Sequence, residues 1–250
     1  MEPGLYIVGT PIGNLQDITL RALETLKTVT LILAEDTRQT VKLLERHEIH
    51  AQLMSCHKFN ELSRVDMIAG HVERGGAVAL VTDSGMPAIS DPGARVVAAC
   101  RERKVPIFVI PGPSAVTAAF ALSGMGGQGF VFEGFLDHKT AARRRKLTER
   151  ADELLPLVLY ESPYRLLKLM GEIKDTLGDR KVFVGRELTK YYEECLAGTP
   201  DEIMAVFAQR TVKGELVVIV EPAAKTKRVK PSIREYENKG TCVDTENDGC

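Results

Sequence analysis

The sequence predicts an α/β protein built on a largely parallel sheet, and three observations carry that reading. Short apolar runs recur along the 250 residues and stop at Gly, Pro or an acidic turn: LYIVGTP from Leu5, LILAED from Leu31, VALVTD from Val78 and PIFVIPGP from Pro106. Between them lie longer segments with helical spacing, Leu20, Leu23 and Leu26 on one face and Val41 with Leu44 on another. Strands that alternate with helices define the class. A composition of 44% hydrophobic and 27% charged residues supplies a sizeable core, and the length admits either one domain or two.

The second half has its own strand series: GFVFEGFL from Gly129, LPLVLYESP from Leu155, KVFVGREL from Lys181 and GELVVIVEP from Gly214, with charge-rich helical segments between. Pro111, Gly112 and Pro113 halt the strand before them. The small residues from Ser114 to Ala119 then open a helix, with Ser114 placed to cap it. The expected division is therefore 1–112 and 113–223. From 224 to 250 the chain turns polar, which reads as a disordered tail.

Net charge is -1, so no global positive field recruits nucleic acid, and an RNA partner needs a local basic patch. The densest candidate is Arg143, Arg144, Arg145 and Lys146 with Lys139 upstream, although charge runs are usually solvated faces. The five cysteines are scattered without ligand spacing, so neither a metal site nor a disulfide framework is expected. The start, MEPGLYIVGTP, lacks a basic region followed by a long apolar one, and no run of eighteen apolar residues occurs. A cytoplasmic protein with no membrane segment is the simplest expectation.

In α/β sheets ligands gather at the carboxyl ends of strands, which is where the Gly/Pro loops fall. GTPIGNL, from Gly9, lacks both GxGxxG and a P-loop lysine, so no dinucleotide fingerprint fits. AEDTRQT places Glu35, Asp36 and Arg38 directly after a strand, where Asp36 or Thr37 is also a natural helix cap. CHKFNE adds His57, Lys58, Asn60 and Glu61 in a similar position. The sharpest loop is TDSGMPAISDPG, from Thr82. Gly85, Pro87, Pro92 and Gly93 stiffen its backbone, Asp83 is a candidate acceptor for a hydroxyl or a cation, and Asp91 is expected to cap the next helix.

Taken in order, LYIVGTPIGNLQDITLRAL, ILAEDTR, HKFNE, DSGMPAISDPG, IPGPSA, LYESPYRL and GRELTKYYEE resemble one family. It is the small-subunit (16S) ribosomal RNA cytidine 2'-O-methyltransferases, within the tetrapyrrole methylase superfamily. The resemblance runs from about Gly4 to about Glu221. It implies two α/β domains, usually in a homodimer, with S-adenosyl-L-methionine (S-adenosylmethionine) folded into the cleft between them, in a pocket unlike the Rossmann methyltransferase site. By position it brings Thr10, Pro11, Ile12, Asp83, Gly85, Met86, Pro87 and Ala88 to the cofactor from the first domain, with Ser114 and Ala115 at the junction. Glu161, Ser162, Glu187, Leu188, Gly214 and Glu215 approach from the second.

For the chemistry, Glu35, Asp36, Arg38, His57, Lys58 and Glu61 are the candidates, the acids, His and Lys as a base and Arg38 as a phosphate contact. The basic cluster from Lys139 is the candidate RNA contact, the small ribosomal subunit RNA being the implied partner. The family loop usually reads closer to SDAGTP, so Thr82, Ser84 and Met86 are departures, as is Asp137 where GFLP becomes GFLD. The polar tail does not resemble the C-terminal helical extension common in relatives. Methylation of a small acceptor such as a tetrapyrrole, and a non-catalytic cofactor- or RNA-binding module, are the rival readings.

Overall fold

The structure is a computed structural model that describes residues 1–224, so the tail expected from 224 onward lies, apart from Ala224, outside the described residues. The described residues form two five-stranded sheets with their helices. The first is built from β1 (Gly4–Val8), α1 (Leu20–Thr28), β2 (Leu31–Ala34), α2 (Thr37–Arg46), β3 (Gln52–Ser55), α3 (Val65–Glu73), β4 (Ala77–Val81), α4 (Ala94–Glu102) and β5 (Ile107–Ile110). Its strand order is β3-β2-β4-β1-β5, and every pairing is parallel. Helices cover both faces. Leu26, Leu43 and Leu44 pack on one side, and Val65, Ile68, Val96 and Cys100 on the other. Burial on both faces is why the inner strands β1, β2 and β4 read as unbroken apolar runs, while the edge strand β3, QLMS, is partly exposed.

The helical spacing seen in the sequence is real, but its apolar stripes are rotated from the expected ones. On α1, Leu26 is fully buried while Leu20 is 80% exposed. On α2, Thr40, Leu43 and Leu44 face inward and Val41 faces outward.

The second sheet follows α5 (Ala115–Ser123) and comprises β6 (Val131–Phe135), α6 (Thr140–Glu149), β7 (Leu157–Glu161), α7 (Leu166–Leu177), β8 (Val182–Arg186), β9 (Glu194–Gly198), α8 (Pro200–Phe207) and β10 (Leu216–Val220). Its order is β6-β7-β10-β8-β9. Here the expectation of a largely parallel sheet fails: only β6 and β7 run parallel, and the other three pairings are antiparallel. The seven residues between β8 and β9 leave no room for a crossover helix, so the chain turns straight back. Strand β9 alternates half-buried and exposed residues and carries little apolar signal, which hid it in the sequence.

α6, α7 and α8 cover one face of this sheet around Leu147, Leu166, Ile173 and Phe207. On the other face α5 packs through Val116 and Ala119 against Val158, Val217 and Ile219. Ile12, from the loop after β1, and Leu188, after β8, join that same cluster, so the two halves meet through apolar side chains.

The basic cluster requires a correction. Arg143 is 1% exposed and does not lie on an RNA-facing surface. Its guanidinium donates to both carboxylate oxygens of buried Glu172 at 2.7 Å, and to the carbonyls of Asp137 and His138 at 3.1 and 2.9 Å. Because α6 lies against α7, one of four consecutive basic residues has to face inward, and its charge is retained by that fork-to-fork pair. Arg144, Arg145 and Lys146 pair at the surface with Asp175, Glu149 and Glu133, and Lys139 precedes α6.

Candidate active site

Strand β4 lies between β2 and β1, so the loop leaving its carboxyl end emerges at the middle of the sheet. A short turn there would reach only the next helix. This loop instead folds on itself, with Gly85, Ala88, Ser90 and Gly93 all at positive φ, 87°, 69°, 64° and 127°. Ala88 and Ser90 carry a side chain in that region, a conformation costing roughly 1–3 kcal/mol each that only a tightly held loop keeps. The ties are visible. Thr10 and Gly85 exchange both backbone hydrogen bonds, the Thr10 hydroxyl donates to the Thr82 carbonyl at 3.1 Å, and the Ala88 N–H donates to the Pro92 carbonyl. Buried Glu61 accepts the Gly93 N–H at 2.9 Å.

The loop forms one wall of a cleft of about 370 Å³ between the two sheets. Of the residues expected at a cofactor, Ile12, Asp83, Gly85, Met86, Ser114, Ala115, Glu161, Ser162, Leu188, Gly214 and Glu215 all line it. Thr10 and Pro11 do not; Thr10 is buried behind the loop it fastens. Pro87 and Ala88 shape the loop from outside the lining. Glu187 is also absent from it, its carboxylate accepting the Glu215 N–H and the Lys190 ammonium. Ser114 occupies the helix-capping position of α5 as expected, yet its side chain makes no capping bond there.

Among the candidate catalytic residues, only Glu35 lines the cleft, its Oε2 accepting the Thr82 hydroxyl at 2.8 Å. Asp36 is the α2 cap, and the Arg38 guanidinium paired with it holds its carboxyl down at about 2. Asp36 reaches the site only through its backbone N–H, which donates to Asp83 Oδ1 at 3.1 Å. Arg38 is solvent-exposed beside it. His57 and Lys58 lie after β3, outside the cleft lining, with Asn60 bonded to the His57 ring and backbone. Glu61 is turned into the core, where it holds Gly93 and pairs with Arg95. It is corrected from a catalytic candidate to a support of the loop.

The largest omission is Asp91. It does not cap α4, whose capping position is Gly93 with no side-chain bond. It lines the cleft instead, and burial, with the Glu35, Asp83 and Glu215 charges adding to it, pushes its carboxyl up to about 6. Burial also raises Asp83, against the Asp36 N–H bond, and the Glu35 and Asp36 charges add to the rise. Local sequence carried no signal for this: SDPG before a helix is a natural cap, and only the positive φ of Ser90 and Gly93 turns Asp91 inward.

On the opposite wall Glu161 is 2% exposed. Its Oε1 accepts from the Ser162 N–H and from Arg165, while its Oε2 has no partner among the described residues. Arg165 also reaches the Leu136 carbonyl, so with Arg143 it pins the turn after β6 beside Phe135, another lining residue. A buried carboxylate oxygen left bare in a cleft wall calls for a ligand bearing N–H, O–H or positive charge. Carboxylates raised by burial call for the same thing. Ile12, Met86, Leu188 and Val217 add apolar surface for a ring.

Two α/β layers closing at their strand ends on an acidic, partly apolar cleft define a protein that binds a small cationic ligand with a flat apolar part. The sequence profile of the tetrapyrrole (corrin/porphyrin) methylases matches residues 4–204. The chain belongs to that family. A ribosomal RNA small subunit methyltransferase I of Thermotoga maritima is 45% identical over 216 residues, covering 86% of this chain and 97% of its own. The protein of the same name in Bacillus subtilis is 40% identical, covering 87% and 74%. Solved structures share the fold at lower identity. A cobalt precorrin-4 methyltransferase superposes with a TM-score of 0.66 at 21% identity, covering 86% of this chain and 93% of its own. A uroporphyrin-III C-methyltransferase from Thermus thermophilus, complexed with S-adenosyl homocysteine, gives 0.61 at 17%, covering 86% and 96%.

Proposed function

We propose that this protein transfers a methyl group from S-adenosylmethionine to the 2'-oxygen of a cytidine ribose in small-subunit ribosomal RNA. The observation that carries this reading is identity of 40–45% across nearly the whole folded chain to proteins named for methylating that RNA. The fine chemistry, a cytidine 2'-oxygen, rests on the ILAEDTR and HKFNE resemblance. The cleft supports the cofactor independently, because its residues fit the group. Asp83 and Asp91 offset positive charge, Glu161 Oε2 accepts an N–H or O–H, and Ile12, Met86, Leu188 and Val217 flank a ring.

When bound, S-adenosylmethionine supplies a methyl carbon activated by a positively charged sulfur. The chain's own work is then orientation and proton handling. Thr10, Glu61 and the Gly85 bridge hold the acidic loop rigid before any ligand arrives. Glu35, held by the Thr82 hydroxyl, and Asp91 are the carboxylates in the lining placed to receive the acceptor's hydroxyl proton. Arg38, Lys58, Lys139, Arg144, Arg145 and Lys146 supply positive charge for phosphates, without Arg143. The same reading places the enzyme in the cytoplasm as a homodimer. It divides the chain at 112/113, which the end of β5 at Ile110 and the packing of α5 on the second sheet support.

The test is transfer of labelled methyl to small ribosomal subunits lacking ribose methylation, with naked RNA alongside. Label mapped to a cytidine 2'-oxygen is the expected result. Binding of the cofactor without label on either RNA would remove the acceptor assignment.

A further inference from the structure

Beside the acidic cleft lies a second hollow of about 520 Å³ that shares its wall: Ile12, Thr82, Asp83, Ser84 and Glu215 line both. The rest of its lining differs in chemistry. Gln39, Lys42 and Leu43 come from α2 at the spacing that puts residues on one helix face. Lys190 comes from the loop after β8, with its ammonium 2.7 Å from Glu215 and 3.0 Å from Glu187. Pro11 and Leu15 add apolar surface.

We infer that this second hollow is the acceptor site and takes one nucleotide swung out of a single-stranded RNA segment. The inference deepens the functional reading above and rests on it. Three features select the occupant. The volume falls within the roughly 300–1,000 Å³ of small-ligand pockets. Two ammoniums, Lys42 from α2 and Lys190 from the loop after β8, suit phosphates, whereas no Lys or Arg lines the first cleft. Lys42 Nζ donates to Gln39 Oε1 at 2.9 Å, so the Gln39 amide nitrogen remains the donor for a base edge, and Leu15, Leu43 and Pro11 suit the base's face. A ribose held here would stand across the Thr82–Asp83 wall from the first cleft.

The reaction balances with groups already named. The ribose oxygen would form the new bond to the methyl carbon, the carbon–sulfur electron pair would stay with sulfur, and the hydroxyl proton would pass to Glu35 or Asp91 of the first cleft.

The test uses the full chain with Gln39→Ala and Lys42→Ala combined, two exposed positions outside the core. S-adenosylhomocysteine binding is measured by calorimetry. Affinity for an unmethylated small-subunit RNA fragment is measured across a salt series, and methyl transfer is measured in parallel. The expected result is unchanged S-adenosylhomocysteine affinity, RNA affinity lower by about tenfold, and a salt slope shallower by about 0.7–1 for the lost phosphate contact. RNA affinity and slope equal to wild type, while wild type methylates the RNA, would overturn the acceptor site and leave the function standing. A wild-type protein that methylates no small-subunit RNA would overturn the function, and this inference with it.

Discussion

Replacing Arg143 with Ala tests whether that side chain is structural support or an RNA contact. Arg143 and Glu172 have side chains 1% and 3% exposed, joined by two charge-assisted bonds of 2.7 Å. Removing the guanidinium leaves a carboxylate buried without its countercharge, and the Asp137 and His138 carbonyls without their donor. Breaking one side of such a pair costs about 3–5 kcal/mol. For a chain of this length that lowers Tm by about 6–20 °C. Urea unfolding followed by circular dichroism, with a thermal melt beside it, measures both. A companion variant combining Arg143→Met and Glu172→Met removes both charges and recovers most of the loss, because a buried pair is worth little relative to apolar side chains of similar size. A loss under about 1 kcal/mol for Arg143→Ala, with weakened RNA binding, would refute the burial argument and return Arg143 to the RNA surface.

Other outcomes follow from the loop and the surface. Asp91 is raised to about 6 by burial, so between about pH 4 and 6 the folded chain holds a proton that the unfolded chain has released; stability therefore falls as pH rises through that window. Asp91→Asn should flatten that decline and gain about 1–2 kcal/mol at pH 7, discounted for partial exposure, while weakening cofactor binding; unfolding curves from pH 4 to 8 check it. Glu61→Ala strands the buried Gly93 N–H at a cost of about 1–3 kcal/mol, and should loosen S-adenosylhomocysteine binding although Glu61 never touches the cleft. Calorimetry showing full affinity in a folded variant would end that role. Neutralising Arg144 and Arg145 together should leave Tm within about 1 kcal/mol of stability, since both pairs are exposed, yet make RNA binding less salt-dependent; an unaltered slope would mark them as solvated surface only.

The first sheet was legible because each fully buried strand in it is an unbroken apolar run, ended by Gly after β1 and by polar, acidic loops after β2 and β4. The second was only half legible. β9 is an edge strand of alternating exposure, and its antiparallel return depends on loop length rather than on composition. Most of the cleft followed from loop position, since loops at central strand ends have little choice of where to go. Side-chain direction was a different matter. SDPG and RRRK each have an ordinary local reading, as cap and as solvated face. Asp91 and Arg143 escape those readings because the backbone at Ser90 and Gly93, and the neighbour Glu172 that is 29 residues away, decide where they point. Gln39 and Lys42 showed nothing in sequence beyond a polar helix face.

The two strand orders also set a timetable for synthesis. β1 sits between β4 and β5, and its first neighbour begins at Ala77. At about 5–20 residues per second it waits roughly 4–14 s on the ribosome before it can pair at all. The second sheet has the reverse difficulty: β10, the last strand described, is its centre, and until Leu216 to Val220 emerge β6–β7 and β8–β9 are two separate ribbons. One layer thus begins with a strand that must wait for its neighbours, and the other ends with its centre. A nascent chain halted at residue 210 would present two open sheet edges side by side, a state in which chaperone binding should peak.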